Sequence, residues 1–535
     1  MSIPVNFETE KIASLNPRSG EAIGEFIPTE TAELPEILRK ARTAFDDWSS
    51  FSLKTRIELF KKAYREFYAN KDSIARLISQ ETGKPLVEAY SSEILPVLDC
   101  FKYYLANIKK FLATQDITPF NPLFKLRRGY VRYEPIGVVA VISPWNYPFL
   151  LAMQHIIPAM LVGNVVIHKP SEYTTLTGLK IREIFDRAYL PKSVLSVVTG
   201  FAEVGRALVE SDLDKIFFTG STSVGQKIYE SAARNLTPVN MELGGNDAMI
   251  VLPDADLERA TSAAVWGAFN NCGQACVSVE RLYVHESIMD VFVRRLVEKA
   301  GRITFANESC EGEVACPVNE MQFKKIKLLV EEAVENGAVV RLGGRPASEA
   351  GKLYFEPTVL TNVHSSMHVF KQEIFGPVVL VMPFLTDDEA VFMANDSQFG
   401  LSASVWTRNL RKGRALAERI EAGAVLINDL ESHVVQFEAP YTGYKKSGLG
   451  VSHGPWGIAE LVRTKYVNMD RPLLGGLLSL VSRNLATKKV WWFRYSEKHA
   501  SDFVAFADFL HADSIWKRVA ASLRALRALF RSDYL

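Results

Sequence analysis

Two cysteines four residues apart, Cys272 and Cys276, sit in "NNCGQACVSVER" at 270–281. Cysteines at such spacing serve as metal ligands, a disulfide, a redox pair, or a nucleophile with a bystander. The first three are disfavoured by pattern. C-x3-C is not the C-x2-C of a zinc ribbon, and no second pair lies at ribbon distance. The nine histidines include no H-E-x-x-H, and Cys310 and Cys316, in "ESCEGEVACP", have no histidines around them. Redox dithiols use C-x-x-C. No metal site is expected. A nucleophilic cysteine needs a lowered pKa, access, and a partner that handles protons or water.

Several segments offer such partners. "MELGGND" places Glu242 at the end of an apolar run and before two glycines, where it is either a turn carboxylate or a general base. "SPWNYP" sets Asn146 between Trp145 and a Tyr-Pro pair, which is turn chemistry or an amide aimed at an oxyanion. "GNVVIHKPSE" ends a third apolar run on Lys169 and Glu172. In "FFTGSTSVGQKI", Gly220 and Gly225 bracket a helix N-terminus suited to a pyrophosphate, although the strict G-x-G-x-x-G is absent. Each motif alone fits turn chemistry as well as catalysis.

The elements that must position these residues alternate. From about Gly129, β-branched strands such as "IGVVAVIS", "NVVIHK", "SVLSVVTG" and "KIFFTG" are separated by helical stretches such as "TLTGLKIREIFDRAYL". Alternation of this kind predicts a doubly wound parallel sheet, with ligands at the C-terminal ends of the strands. A second αβ series begins near Gly244 with "DAMIVLPDADLERATSAAVWGAFNN" and continues through "PVVLVMPF" and "AGAVLIND". Before both, Thr29 to Lys110 reads as long helices, the second stopped by Gly-Lys-Pro at 83–85.

Composition bounds the function class. The chain has 535 residues, 48% hydrophobic and 23% charged, with a formal net charge of +1, so it has room for several domains and no global pull toward nucleic acid. Five cysteines in this length do not form a disulfide framework and suit a reducing compartment, read as the cytoplasm. No signal peptide is recognised at the N-terminus, and near-apolar stretches such as "PLLGGLLSLV" at 472–481 are too short to span a bilayer.

The ordered set "SPWNYP", "GNVVIHKPSE", "FTGSTSVG", "ELGGND", "GQAC", "EIFGPVV" at 373–379, "FGLSASVW" at 399–406 and "YKKSGLG" at 444–450 resembles the aldehyde dehydrogenase superfamily. The resemblance covers roughly residues 10 to 468. It implies an α/β fold with a Rossmann-like cofactor domain (1–112 and 136–243), a catalytic domain (244–440), and an oligomerisation arm (113–135 and 441–470), followed by an extension at 471–535. It implies Cys276 as nucleophile, with Cys272 as bystander, Glu242 as general base, and the Asn146 amide with the Cys276 backbone N–H as oxyanion hole. Lys169 and Glu172 match positions that hold the adenine ribose. Ser221, with Gly220 and Gly225, matches the pyrophosphate site. Glu373 and Phe375 match the nicotinamide positions, and Trp145 is counted with the cofactor residues. The implied cofactor is NAD, with NADP less favoured because a carboxylate at Glu172 repels a 2′-phosphate. The implied substrate is a small-molecule aldehyde, and the implied assembly a homodimer or homotetramer. A base at Glu242 argues for hydrolysis to a free acid.

The sequence departs from the family pattern in places. Asn246 and Cys316 replace residues common in the family. Many members have Lys where this chain has His155 and Glu where it has Pro455, a pair that lies near the base in some, so a different proton route is expected, with His155 near it. "SGLGVSHGPWGI" at 447–458 resembles the class 3 and fatty aldehyde branch. In the extension, Ile515, Val519, Leu523, Leu526 and Phe530 fall on one helical face, with Lys517, Arg518, Arg524, Arg527 and Arg531 around the other side. That pattern fits a tail docked on protein, or a peripheral membrane contact. The latter would favour medium- or long-chain, apolar aldehydes. A semialdehyde or short-chain enzyme and a non-catalytic scaffold are the alternatives.

Overall fold

The computed structural model describes residues 11–120, 127–307, 311–470 and 497–529. Cys310 and the 472–481 stretch lie outside them. By internal contacts the chain forms two units, residues 1–113 with 133–463, and 114–132 with 464–535.

The first unit opens with helices. Helix α1 (Leu34–Ser50) buries Leu34, Leu38, Ala41, Ala44 and Trp48, a three- and four-residue stripe. Helix α2 (Leu53–Ala69) starts where Ser52 accepts from the Thr55 N–H, and α3 (Lys71–Thr82) ends at Gly83, which has φ +76°. The sequence reads α2 and α3 as one helix. The structure breaks it at Asn70, whose side-chain amide donates to the Glu66 carbonyl (2.8 Å) and caps the first helix. Helix α4 (Leu95–Phe111) brings Phe101 to within 5.5 Å of the Phe67 ring. Burying each such ring contributes about 1.5–3 kcal/mol.

Strands β1 (Val138–Ile142), β2 (Val165–Lys169), β3 (Leu195–Val197), β4 (Lys215–Thr219) and β5 (Val239–Glu242) form one parallel sheet in the order 3-2-1-4-5, with Gly448–Leu449 added antiparallel at the β5 edge. Their nearly continuous Val/Ile/Phe content is what a sheet covered on both faces requires. Helix α5 (Leu150–Val162) covers it and is apolar almost all round, every residue buried, Gln154 and His155 included. Helix α6 (Thr222–Arg234) follows β4, with Ser221 as its N-cap residue.

A second sheet holds β6 (Asp247–Val251), β7 (Val279–His285), β8 (Val339–Leu342), β9 (Thr358–Thr361), β10 (Val378–Phe384), β11 (Ser402–Trp406) and β12 (Ala424–Ile427), in the order 8-9-10-7-6-11-12. Only β8 and β9 pair antiparallel. Helix α7 (Leu257–Phe269) leads into the cysteine loop, and α8 (Glu320–Glu335) flanks the "EIFG" segment. The α/β expectation holds.

The second unit holds a three-stranded sheet of Gln115–Ile117, Arg127–Pro135 and Val462–Asp470, and two helices, α9 (Glu497–His511) and α10 (Ile515–Leu529). The helices pack on each other, with Ala505, Ala521 and Ala525 buried. Among the described residues no helix is long and apolar enough to cross a membrane.

Candidate active site

The strand order of the first sheet reverses between β1 and β4, and ligands of such sheets bind in the crevice beyond that point. Every predicted residue of the sheet lies there. Asn146 follows β1, Lys169 ends β2, Gly220 and Ser221 follow β4, and Glu242 ends β5.

Cys276 is aimed by a sharp turn. Asn271 (φ +50°), Cys272 (φ +59°) and Gly273 (φ +66°) are all left-handed. Cys272 carries a cost of roughly 1–2 kcal/mol in that region. At Gly273 no other residue fits, because a Cβ would lie 2.1 Å from the Gly376 carbonyl oxygen. Cys272 is fully buried among Phe269, Val279 and Leu282, away from solvent, while Cys276 is partly accessible and both thiols are free. The Cys276 Sγ lies 3.6 Å from the Tyr441 hydroxyl. Burial pushes its pKa up to about 12, with the charges of Asp247, Glu373 and Glu242 acting in the same direction. At rest the group is therefore a thiol. Asn146, on the β1 loop, donates its amide to the Gln274 carbonyl (3.0 Å), two residues before Cys276.

Glu242 is caged. Gln154 Nε2 donates to Oε2 (2.8 Å), as does Thr219 Oγ1 (3.2 Å), and Ser452 Oγ donates to Oε1 (2.5 Å). His155 Nε2 lies 3.3 Å from Oε1. Burial raises the carboxyl, but His155, Ser452 and His453 outweigh it and hold the pKa at about 2. A group that acidic is a weak base, since general-base catalysis is best near the working pH.

The remaining predicted residues line the neighbouring strand ends. Lys169 Nζ donates to the Pro170 carbonyl (3.1 Å) and faces the charges of Glu172 and Glu203. Ser221 and Ser223 hydroxyls approach to 3.4 Å at the α6 N-terminus. Trp145 and Phe375 meet edge to face, with centroids 5.5 Å apart. Glu373 accepts from the Gly245 N–H (3.0 Å), and burial lifts it to about 7. A Cβ at Gly245 would stand 2.2 Å from the Cys276 carbonyl oxygen, so the double glycine brings the Glu242 strand, Glu373 and the cysteine loop together. Among the described residues no group of three or more His, Cys, Asp or Glu could hold a metal.

A model of the aldehyde dehydrogenase family matches residues 5–467. The chain belongs to the aldehyde dehydrogenase family. It is accordingly an NAD(P)-dependent oxidoreductase of the aldehyde group. The chain is 38% identical over 468 residues to a peroxisomal aminoaldehyde dehydrogenase of Pisum sativum, covering 86% of this chain and 92% of the relative. It is 35% identical over 518 residues to a 4,4′-diapolycopene aldehyde oxidase of Methylomonas sp, covering 97% of this chain and 94% of the relative. That match extends past residue 467 into the C-terminal extension. A crystal structure of betaine aldehyde dehydrogenase from Staphylococcus aureus in complex with NAD+ superposes with a TM-score of 0.82 at 31% identity, covering 87% of this chain and 93% of that one. None of these three is named for the class 3 or fatty aldehyde branch that residues 447–458 resemble.

Pro455, where many members have Glu, is exposed and begins a short helix. Ser452 and His453 of the same segment reach Glu242: Ser452 bonds it, and His453 Nε2 lies 3.2 Å from Gln154 Oε1, whose amide nitrogen bonds Glu242.

Sequence reasoning also missed buried charged groups that bond the site loops of this aldehyde dehydrogenase. Lys84, read only as part of a helix stop, is fully buried and donates to Glu93 (2.6 Å) and to the Asn146 carbonyl (2.8 Å). Glu93 accepts in turn from the Phe149 N–H (2.8 Å). Glu280 accepts from the N–H groups of Ile374 (2.8 Å) and Phe375 (2.9 Å), and so fixes the "EIFG" turn. Only a charged residue with no nearby partner in sequence marked these positions, and such residues are common on surfaces.

Proposed function

We propose that this chain oxidises an apolar aldehyde to its carboxylic acid with NAD, through a thioester on Cys276. The observation that supports this most is the wall around the thiol. Ala275, Val277, Leu401 and Tyr441 form a buried apolar cluster, with Tyr147 and Val434 packed against it. The relative that also matches the extension is named a 4,4′-diapolycopene aldehyde oxidase.

Residues 1–112 and 136–243 serve as cofactor domain, 244–440 as catalytic domain, and 113–135 with 441–470 as the arm of a homodimer or homotetramer, in the cytoplasm. The cofactor residues fit NAD: an exposed helix N-terminus behind Ser221, and a lysine–carboxylate pair at Lys169 and Glu172 beside it. Glu172 accepts from a ribose hydroxyl and repels a 2′-phosphate, which selects NAD. Trp145, Glu373 and Phe375 flank the nicotinamide side. NAD, when bound, supplies the acceptor for the hydride that leaves the reacting carbon.

Cys276 adds to the carbonyl carbon as its thiol passes its proton to water. The Asn146 amide and the Cys276 N–H hold the resulting oxyanion. Once the thioester has formed, Glu242 swings from its cage, deprotonates water for attack on the acyl carbon, and Cys276 leaves as thiolate.

Oxidation of a cationic aldehyde is the second reading. Glu88 and Glu431 are half-buried near Asn270 and Asn271, each with one buried oxygen lacking a partner. Burial lifts Glu88 to about 7 and Glu431 well above the usual carboxylate range. An ammonium group would ionise and occupy them, as the aminoaldehyde relative's name would suit. NADH formation across alkanals of increasing length, with aminoaldehydes alongside, separates the two. A rate rising with chain length supports the apolar reading, and a preference for the aminoaldehyde overturns it.

A further inference from the structure

We infer that helix α10 docks the enzyme on an anionic lipid surface, a step beyond the apolar-aldehyde reading on which its biological use rests. Among the described residues Ile515 (71%), Trp516 (79%), Val519 (56%) and Leu523 (64%) are exposed. At about 100° per residue they fall within about 100° of one another. The opposite side, with Ala521 and Ala525, is already buried against α9, so the apolar face is not the helix's own packing face. Lys517 and Arg524 flank one side of it and Arg518 the other, and residues 515–529 contain no Asp or Glu. Bases on both flanks of an exposed apolar stripe, with a tryptophan at its margin, suit a helix lying in the headgroup plane. Phe503 and Val504 of α9 are also exposed, at 63% and 59%. Phe530 and Arg531 of the predicted face lie outside the described residues.

An independent observation points to lipid rather than to a protein partner. The matches to the aminoaldehyde and betaine aldehyde enzymes cover 86–87% of the chain, and the match that reaches 97% is to an enzyme named for an aldehyde of a long hydrocarbon. The extension is thus shared with a relative named for a diapolycopene aldehyde.

The test is sedimentation of the full-length enzyme with vesicles of phosphatidylcholine, with and without phosphatidylglycerol. Binding is expected to the mixed vesicles and to weaken with salt. Val519→Asp/Leu523→Asp and Lys517→Glu/Arg524→Glu should each lose about tenfold or more in binding, since each basic residue near such a surface contributes about 1 kcal/mol, or about fivefold. Turnover of a short, water-soluble aldehyde should be unchanged in both variants, which also reports that they fold. Equal binding to both vesicle types, or none, overturns the inference. So does a fall in subunit number by light scattering in the apolar variant without loss of lipid binding, which would make this face a contact between copies. Vesicle binding without preference for long alkanals leaves the docking standing and removes the apolar-substrate reading.

Discussion

His155 Nε2 lies 3.3 Å from Glu242 Oε1, and that contact is the largest influence lowering the Glu242 pKa. Burial alone would raise Glu242, but His155 is the largest of the opposing influences that bring it to about 2. His155→Gln removes that influence and leaves the burial. The acid limb of the kcat/KM profile should then move to higher pH, with kcat at neutral pH changed less. Superimposable profiles for the variant and the parent would exclude His155 from the proton route. Stability follows the same sign. A depressed carboxylate stabilises the fold above its ordinary pKa of 4.5, and that contribution is lost as pH falls toward 2. Urea midpoints measured down that window should drop less steeply in the variant.

Cys276→Ala should abolish NADH formation by at least about a thousandfold while leaving NAD binding intact, because the cofactor residues lie on other strand ends. Asn146→Ala should lower kcat by roughly 10²–10³ with a smaller change in KM, as expected for a donor that acts on developing charge. If Asn146→Ala changes KM alone, its amide positions substrate and does not hold the oxyanion. Stopped-flow NADH formation and NAD titration of the same preparations read both.

Much of this was legible in the sequence, for a physical reason. Parallel strands buried on both faces must be runs of Val, Ile and Phe, so β1, β2 and β4 announced themselves, with the proposed site residues at their ends. The Glu242 cage was legible only in part. Gln154 and His155 sit in a helix apolar all round, and nothing in their spacing says they meet Ser452 and His453 from the far end of the chain. The break at Asn70 was hidden because hydrophobic periodicity runs through it. Lys84 was read as punctuation because a buried lysine and a surface lysine look the same until Glu93 is placed beside it.

Glu172→Gln should narrow the cofactor preference. The carboxylate disfavours a 2′-phosphate by charge, and the amide keeps the acceptor oxygen without the charge. The kcat/KM ratio of NAD to NADP should fall by about tenfold, mainly through the KM for NADP, and the effect should shrink at high salt. An unchanged ratio would place the discrimination elsewhere, with Glu203 as the next carboxylate to test because its charge also reaches Lys169.

Lys84→Met tests whether the buried ion pair positions the oxyanion loop or only stabilises the fold. Lys84 and Glu93 are both inaccessible to solvent, 2.6 Å apart. Removing one partner of such a pair costs about 3–5 kcal/mol, because the other charge is left buried and alone. The double variant Lys84→Met/Glu93→Gln leaves no orphan charge and should recover much of that stability in urea denaturation. It should not recover activity. The Asn146 carbonyl loses its 2.8 Å donor in both variants and keeps only the Asn271 amide (3.0 Å), which weakens the restraint that points the Asn146 amide at the cysteine loop. A double variant as stable as the parent but still slowed about tenfold or more in kcat would make Lys84 a positioning residue, since misplacing an oxyanion donor costs rate without costing binding. A double variant that regains both stability and kcat would reduce the pair to a structural role.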